Sequence, residues 1–350
     1  MQVLVATDAW DPQVNGVVFS LRSVARAARE YGVETSFVTP SDFATVALPT
    51  YPEIRLAAAT VAGFRRHIAH RKIDHIHIAT EGPIGWAARS YCLAAGLAFT
   101  TSFHTRFPEY VRARLGIPAS LTYALLRRFH NAAGATMVAT GSLMEELRSK
   151  GFRRLSMWSR GVDTEIFRPQ ARDALPFQRP IFLYVGRLAI EKNLDGFLAL
   201  DLPGSKVVVG DGPARSHLQR TFPAAHFLGA KPHEELARIY SSADTFVFPS
   251  KTDTFGMVLI EALACGLPFA AFPVQGPKDV LAGSDAGCLD WDLRSACLAA
   301  LNIPRSAARE HALKFSWDFS ARQFIQNIAK VHAFESLRQP GLPEARLREA

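Results

Sequence analysis

Short apolar runs alternate with longer stretches of helical periodicity along almost the whole chain. VLVATD at 3–8, TSFVT at 35–39 and HIHIA at 75–79 read as strands, with helices between them from about Val17 to Tyr31 and around 61–72. A helix beginning near Gly82, a strand near AFTTSF at 98–103, a helix around 119–132 and the strand ATMVAT at 135–140 continue the series, before a helix over 142–150 and a strand near 155–159. Such alternation calls for a mostly parallel sheet with helices on both faces. The stretch FRPQARDALPFQRPI at 167–181, rich in proline and charge, breaks the periodicity and reads as a linker. A second series starts at once with IFLYVG at 181–186, KVVVG at 206–210, HFLG at 226–229, TFVFP at 245–249 and PFAAF at 268–272. The pattern predicts two open α/β domains, 1–168 and 169–317, and a helix over 318–338 that packs back on the first. The tail beyond Gln339 has little to bury and is expected to fray. Two open sheets facing one another leave a cleft outside the carboxyl ends of their strands, where such sheets bind ligands.

Composition narrows the classes. With 350 residues the chain can build two such cores. No stretch approaches the roughly 20 apolar residues that cross a bilayer, and the opening MQVLVATD has no export signal, so a cytoplasmic location is expected. Cys92, Cys265, Cys288 and Cys297 are too far apart in sequence for a zinc knuckle or redox dithiol. The net charge of +8 is uneven: residues 1–170 carry 20 Lys and Arg against 13 Asp and Glu, the remainder 20 against 19. A basic half attracts nucleic acid, an anionic bilayer or an anionic substrate alike. No nucleic-acid-binding motif accompanies it, so no nucleic-acid partner is expected.

Candidate chemistry gathers at the strand ends. After the first strand, DAWDPQVNGVVFSL sets Asn15 and Gly16 before a helix: an ordinary turn, or a place where an anion approaches a helix N-terminus. It is not GxGxxG, which disfavours a dinucleotide-binding dehydrogenase. TTSFHTRFPEY places His104 and Thr105 at a strand end, where the imidazole is either a satisfied structural group or a partner for a sugar hydroxyl or phosphate. No Ser or Cys nucleophile stands beside it. In WSRGVDTEIFRP, Arg160 is a candidate anion contact or a surface arginine, and Asp163 fixes a turn or meets substrate.

In the second domain, LYVGRLAIEKN runs from a strand through Gly186 to Arg187 and Lys192, two cations suited to a diphosphate. Gly210 and Gly212, in VVVGDGP, would let a nucleotide or sugar approach the backbone, although many α/β turns read GDG. In SKTDTFGMVLIEALACGLP, Asp253 or Thr254 is expected to cap a helix starting near Phe255, so that the N–H groups of Phe255, Gly256 and Met257 point at a diphosphate. Glu261 follows in that helix; a wholly helical interval would set it about 12 Å from Asp253. The two carboxylates would then grip opposite ends of an extended ligand, sugar hydroxyls at Asp253 and ribose at Glu261.

PQVNG, SFHT, SRGVDTEIFRP, VGRLAIEKN, GDGP and DTFGMVLIEALACGLP, in this order, resemble the retaining glycosyltransferases of family four, which have the GT-B fold. The family's Glu-x7-Glu motif has Asp253 at its first position here and Glu261 at its second. The resemblance implies a nucleoside-diphosphate-sugar donor held mainly by residues 181–280, with Arg187, Lys192 and the helix start at Gly256 on the diphosphate and Glu261 on the ribose. It places Asp253 and His104 at the transferred sugar, with Gly16 bordering phosphate or acceptor, and implies front-face attack in which the departing phosphate takes the acceptor proton. No Asp-x-Asp motif is present, and neither a metal nor another cofactor is expected.

RGVDTEIF and TDTFG further resemble a bacterial branch containing sulfolipid and glycosyl-diacylglycerol synthases and mannosyltransferases. That implies a diacylglycerol acceptor and a UDP-glucose or UDP-glucuronate donor, with GDP-mannose as the alternative. GFRRHIAHRK at 63–72 is an amphipathic candidate for reversible contact with an anionic membrane, at the cytoplasmic face of the inner membrane, or simply a solvated basic helix. Competing expectations are a soluble, polysaccharide or polyprenyl-linked acceptor, a noncatalytic sugar-nucleotide-binding protein, and a phosphorylase, although no pyridoxal-phosphate lysine motif is apparent.

Overall fold

The computed structural model describes residues 1–11, 16–48, 51–104, 118–253 and 255–338, with side chains throughout except at 48, 51–54 and 334–338. Asn15, Thr105, Thr254 and the tail from Gln339 lie outside the described residues. The chain divides into two compact units, Met1–Ser159 with Trp317–Ala350, and Arg160–Ser316.

Unit one contains β1 (Gln2–Ala6), β2 (Glu34–Val38), β3 (Thr45–Leu48), β4 (Tyr51–Ala57), β5 (His75–Ile78), β6 (Phe99–Phe103), β7 (Ala135–Val138) and β8 (Leu155–Met157). Six of them pair in parallel in the order β2-β1-β5-β6-β7-β8, while β3 and β4 form an antiparallel pair. β5 and β6 are buried at every position, the signature of a sheet covered on both faces. One core layer joins Ile76, Ile78 and Phe99 to Phe64, Ile84 and Tyr91; another joins Phe103 to Tyr123, Leu147 and Phe152. His75, His77, Thr100 and Ser102 are nonetheless buried in these strands. Polar groups placed so must bond one another.

The helix Trp317–Arg338 belongs to unit one, against the helix Gly16–Ala28 and strands β6 and β7. Ser159 N–H donates to Gln323 Oε1 at 2.8 Å, Ser320 Oγ donates to the Ser159 carbonyl at 2.7 Å, and Asn327 Nδ2 donates to the Met157 carbonyl at 2.9 Å. Gly134 makes room for the same helix, because a Cβ there would stand 2.4 Å from Val331 Cγ1.

Unit two contains β9 (Ile181–Val185), β10 (Ser205–Val209), β11 (His226–Phe227), β12 (Thr245–Phe248), β13 (Phe269–Ala271) and β14 (Gly287–Leu289), parallel in the order β11-β10-β9-β12-β13-β14. Phe182, Tyr184, Val208, Val247 and Ala270 point into a core closed by the helices Leu194–Leu198 and Leu293–Ala300. The unit boundary, between Ser159 and Arg160, precedes the proline-rich stretch, which packs within unit two. Phe167 and Leu175 are buried, and the N–H groups of Gln170 and Ala174 donate to Ser241 Oγ at 3.1 Å and Ser242 Oγ at 3.0 Å. Hydroxyls on the helix His233–Ser242 thus satisfy a backbone that has no strand to pair with.

The β10 turn depends on a missing side chain. At Gly210 φ is +131° and a Cβ would lie 1.9 Å from the Gly186 carbonyl oxygen. Gly210→Ala is therefore expected to cost more than the ~1–3 kcal/mol of backbone strain alone, read as a lower denaturation midpoint in urea. No helix among the described residues is long and apolar enough to cross a membrane.

Candidate functional site

Unit two brings several of the expected groups together where β9 and β12 end. Tyr184, near the end of β9, donates its hydroxyl to the Arg187 carbonyl at 3.0 Å, holding the turn at Gly186. A Cβ on Gly186, where φ is +150°, would meet that hydroxyl at 2.9 Å. The half-exposed Arg187 donates from Nη2 to Glu191 Oε1 at 3.0 Å. A 3-10 turn over Ile190–Lys192 ends at Asn193, left-handed with φ +54°, whose Nδ2 donates to the Pro249 carbonyl at 3.1 Å beyond β12. This anchor directs Lys192 across the strand ends, where Nζ donates to Asp253 Oδ1 at 2.5 Å.

Lys192 and Asp253 are only 17% and 18% exposed. Asp253 Oδ2 is buried with no hydrogen-bond partner among the described residues. An ionised oxygen taken from water and left unpaired costs free energy until a donor reaches it, so this atom is a ready acceptor for a ligand hydroxyl.

The capping expectation is corrected. The helix begins at Met257, not near Phe255; its N-cap is Gly256, left-handed at φ +89°, with no side-chain capping bond. Asp253, Phe255 and Gly256 are not helical, so the wholly helical interval between the carboxylates does not hold. Asp253 is drawn to Lys192 instead, since an ion pair of low exposure outweighs a single cap bond. Gly256 suits the left-handed turn, as a Cβ there would crowd Leu259 at 2.9 Å. Phe255 is buried, while Gly256 and Met257 are partly exposed at the helix N-terminus.

Glu261 lies one turn into that helix and is buried. Tyr240, on the facing helix, donates its hydroxyl to Glu261 Oε2 at 3.1 Å. Burial pushes the carboxyl up to about 7 against the lowering effect of that bond. Burial, with Glu261 beside it, also holds the Tyr240 hydroxyl well above its ordinary range.

Gly210 and Gly212 have an internal reason for their type. Their Cβ positions are taken by the carbonyls of Gly186 and Leu188, at 1.9 and 2.5 Å. The Gly210 N–H donates to the Gly229 carbonyl at 2.8 Å, and the Gly212 N–H to Asp211 Oδ1 at 2.8 Å. They bring two loops into contact and do not present free donors.

Of the other candidates, Arg160 is buried in unit two, and loss of water lowers its guanidinium to about 10, still charged at neutral pH. Asp163 Oδ1 accepts the N–H groups of Glu165 and Ile166, both at 3.2 Å, and so fixes a turn. Gly16 opens the helix Gly16–Ala28 of unit one. His104 follows β6, partly buried; its Nε2 lies 2.8 Å from Ser102 Oγ, and its ring meets Trp158 edge to face. In the basic segment, Arg65 and Arg66 are exposed on the helix Val61–Ile68, but Arg71 donates to the Phe37 carbonyl at 2.9 Å. Arg71 thus serves the sheet edge.

Sequence reasoning passed over Tyr184, Tyr240, Asn193 and Asp8. Asp8, after β1, accepts from Thr80 Oγ1 and the Ile84 N–H, both at 2.9 Å, which holds the start of the helix Pro83–Ala95. Burial raises its carboxyl above the ordinary range. A tyrosine in a strand or helix reads as core from its periodicity, and its hydroxyl partner is remote in sequence. Asn193 had a signal, standing directly after Lys192 where a turn is due.

Comparisons with known proteins bear on the family and the fold. Residues 14–166 match the family model described as Glycosyltransferase Family 4, and residues 167–289 match Glycosyl transferases group 1. A GDP-mannose-dependent alpha-mannosyltransferase of Mycobacterium tuberculosis (strain CDC 1551 / Oshkosh) is 32% identical over 83% of this chain and 83% of that protein. A sulfoquinovosyl transferase of Arabidopsis thaliana is 27% identical over 91% and 73% of the two chains. Among solved structures, sucrose-phosphate synthase from Thermosynechococcus elongatus aligns with a TM-score of 0.80 at 21% identity, over 95% of this chain and 99% of that one. Anabaena HepE in complex with UDP and glucose aligns at 0.70 and 14% identity, over 93% and 99%. With two open parallel sheets and an ion pair at the strand ends of the second, the chain belongs to the nucleotide-sugar-dependent glycosyltransferases of family four, with the GT-B fold.

Proposed function

We propose that this enzyme transfers a hexosyl group from a nucleoside diphosphate to a lipid acceptor, with retention of anomeric configuration. The observation that carries the donor reading is Asp253, whose Oδ1 is neutralised by Lys192 and whose Oδ2 is buried and unpartnered. A sugar hydroxyl supplies the missing donor. Arg187, Lys192 and the helix end at Gly256 take the diphosphate, where fixed positive charge stabilises the leaving group as its own charge grows. The leaving phosphate accepts the acceptor's proton in this reading. Glu261 takes the ribose diol, and Gly210 and Gly212 contribute through the shape of their loop. In unit one, His104 meets the transferred sugar, and Gly16 borders phosphate or acceptor.

For the donor we place GDP-mannose first, because a relative 32% identical over most of both chains is named for it. UDP-glucose or UDP-glucuronate is the second reading; a structural neighbour, Anabaena HepE, is solved in complex with UDP-glucose. The lipid acceptor, diacylglycerol, is favoured by the positive excess of residues 1–170 and the exposed Arg65 and Arg66, which suit transient contact with an anionic bilayer.

The deciding assay incubates the protein with GDP-mannose, UDP-glucose and UDP-glucuronate separately, with diacylglycerol in anionic vesicles, and follows products by mass spectrometry. A hexose added to diacylglycerol with matching release of GDP is expected. Donor hydrolysis or transfer to a soluble acceptor, with none to diacylglycerol, overturns the lipid reading and leaves the donor site standing.

A further inference from the structure

Six side chains of unit one form an unbroken hydrogen-bonded line along its sheet. His332 Nε2, on the helix Trp317–Arg338, lies 3.0 Å from His75 Nδ1, and His75 Nε2 lies 2.9 Å from Thr100 Oγ1. That hydroxyl is also 2.9 Å from His77 Nδ1; His77 Nε2 lies 3.1 Å from Ser102 Oγ, which is 2.8 Å from His104 Nε2. His75, Thr100, His77 and Ser102 are buried, whereas His332 and His104 at the two ends are partly exposed.

The types and their order matter more than their burial. A neutral imidazole has one N–H and one lone pair, and a hydroxyl both donates and accepts, so each of the four inner groups can pass a hydrogen bond on. Two polarities are then available. In one, His104 Nε2–H donates to Ser102, Ser102 to His77 Nε2, His77 Nδ1–H to Thr100, Thr100 to His75 Nε2, and His75 Nδ1–H to His332. In the other every bond is reversed. Ser102 Oγ has the Ala79 carbonyl as a further acceptor at 3.3 Å, too long to dominate.

We propose that this line is a proton relay between His104, at the end of β6, and His332 on the C-terminal helix. The step balances. Each of five hydrogens moves to its neighbour: the Nε2–H of His104 to Ser102, that of Ser102 to His77 Nε2, that of His77 Nδ1 to Thr100, that of Thr100 to His75 Nε2, and that of His75 Nδ1 to His332 Nε2. His104 starts as the imidazolium and ends neutral with its hydrogen on Nδ1, His332 starts neutral with its hydrogen on Nδ1 and ends as the imidazolium, and no inner group is left charged. Burial, with His332 and His77 close by, holds His75 well below the ordinary histidine range, so the proton crosses by this concerted exchange and not by resting on an inner imidazole. Thr100 and His332 are positioning residues, acting through His104. The relay does not depend on the donor reading; its use, resetting the protonation of a group at the transferred sugar, rests on that reading.

The test needs no substrate. In the full chain labelled with [15N]histidine, the ring nitrogens of His104, assigned by their loss in H104Q, report its tautomer. His332→Phe keeps a ring against His75 and removes the terminal nitrogen. It is expected to shift the His104 ring signals towards a single tautomer in the otherwise wild-type chain and in a T100S background, and to leave them in place in a T100V background. Unchanged His104 signals in H332F, or an equal shift in the T100V background, would overturn the relay, because the coupling would then be absent or carried by packing. T100S tests the hydroxyl in case T100V perturbs the fold.

Discussion

Replacing Lys192 with alanine is expected to lower kcat by about 10²–10³, the range seen when one preorganised charge is removed from a developing anion. Lys192 is held by two features that survive the change, the left-handed Asn193 and its bond to the Pro249 carbonyl, so the loop keeps its path. Two effects combine. The leaving diphosphate loses a cation, and Asp253 loses the donor on Oδ1 while Oδ2 is already unpartnered. These are separable in K192A combined with D253N. If Lys192 served only to neutralise Asp253, the double variant would recover activity, since an amide needs no counter-ion. A diphosphate role predicts no recovery. Steady-state kinetics with saturating donor distinguishes the cases, with circular dichroism to confirm the fold. A near-normal kcat in K192A would remove this lysine from the reaction.

Glu261→Gln is expected to change the pH dependence of both stability and donor binding. The unfolded carboxyl titrates near 4.5, and the buried one near 7. The contribution of this group is therefore fully present below 4.5 and is lost as pH rises through about 7, because ionisation is then forced on a buried site. The displacement corresponds to about 3 kcal/mol. Glutamine resembles the protonated form and removes this slope, so the variant gains on wild type between pH 5 and about 8, read from urea midpoints across pH. Nucleotide affinity runs the other way. The ribose hydroxyls donate, and an ionised carboxylate accepts them better, by about 1.5–3 kcal/mol for bonds to a charged group. Wild type should bind nucleoside diphosphate more tightly as pH rises through 7, while E261Q binds about tenfold or more weakly with a flatter profile, by calorimetry. Parallel pH profiles for the two proteins would show that Glu261 neither titrates in this range nor meets the ribose.

The alternation of apolar runs with helical periodicity was sufficient for two open α/β sheets, because parallel strands buried on both faces must be nearly continuous in hydrophobicity. Gly186, Arg187 and Lys192 were legible for a related reason: residues directly after a central strand lie at its carboxyl edge. Local signals were incomplete in one place and misread another. Proline and charge at 167–181 read as a linker, and the sequence did not show that Ser241 and Ser242 satisfy its backbone from a helix about 70 residues further on. Asp253 looked like a cap, since Asp before an apolar helix commonly is one. Its partner turned out to be Lys192, 61 residues earlier in the chain.

Strand identity, the order of the chemical motifs and the surplus of charge in the first half are properties of residues near one another in the chain, and the sequence alone determined them. Only the tertiary structure decided which polar atoms are satisfied. It paired Lys192 with Asp253 and Tyr240 with Glu261, and it lined up His75, Thr100, His77 and Ser102 between two further histidines. A hydrogen bond depends on distances within about 3 Å and on burial, and both are set by packing between residues that the sequence places tens to hundreds of positions apart.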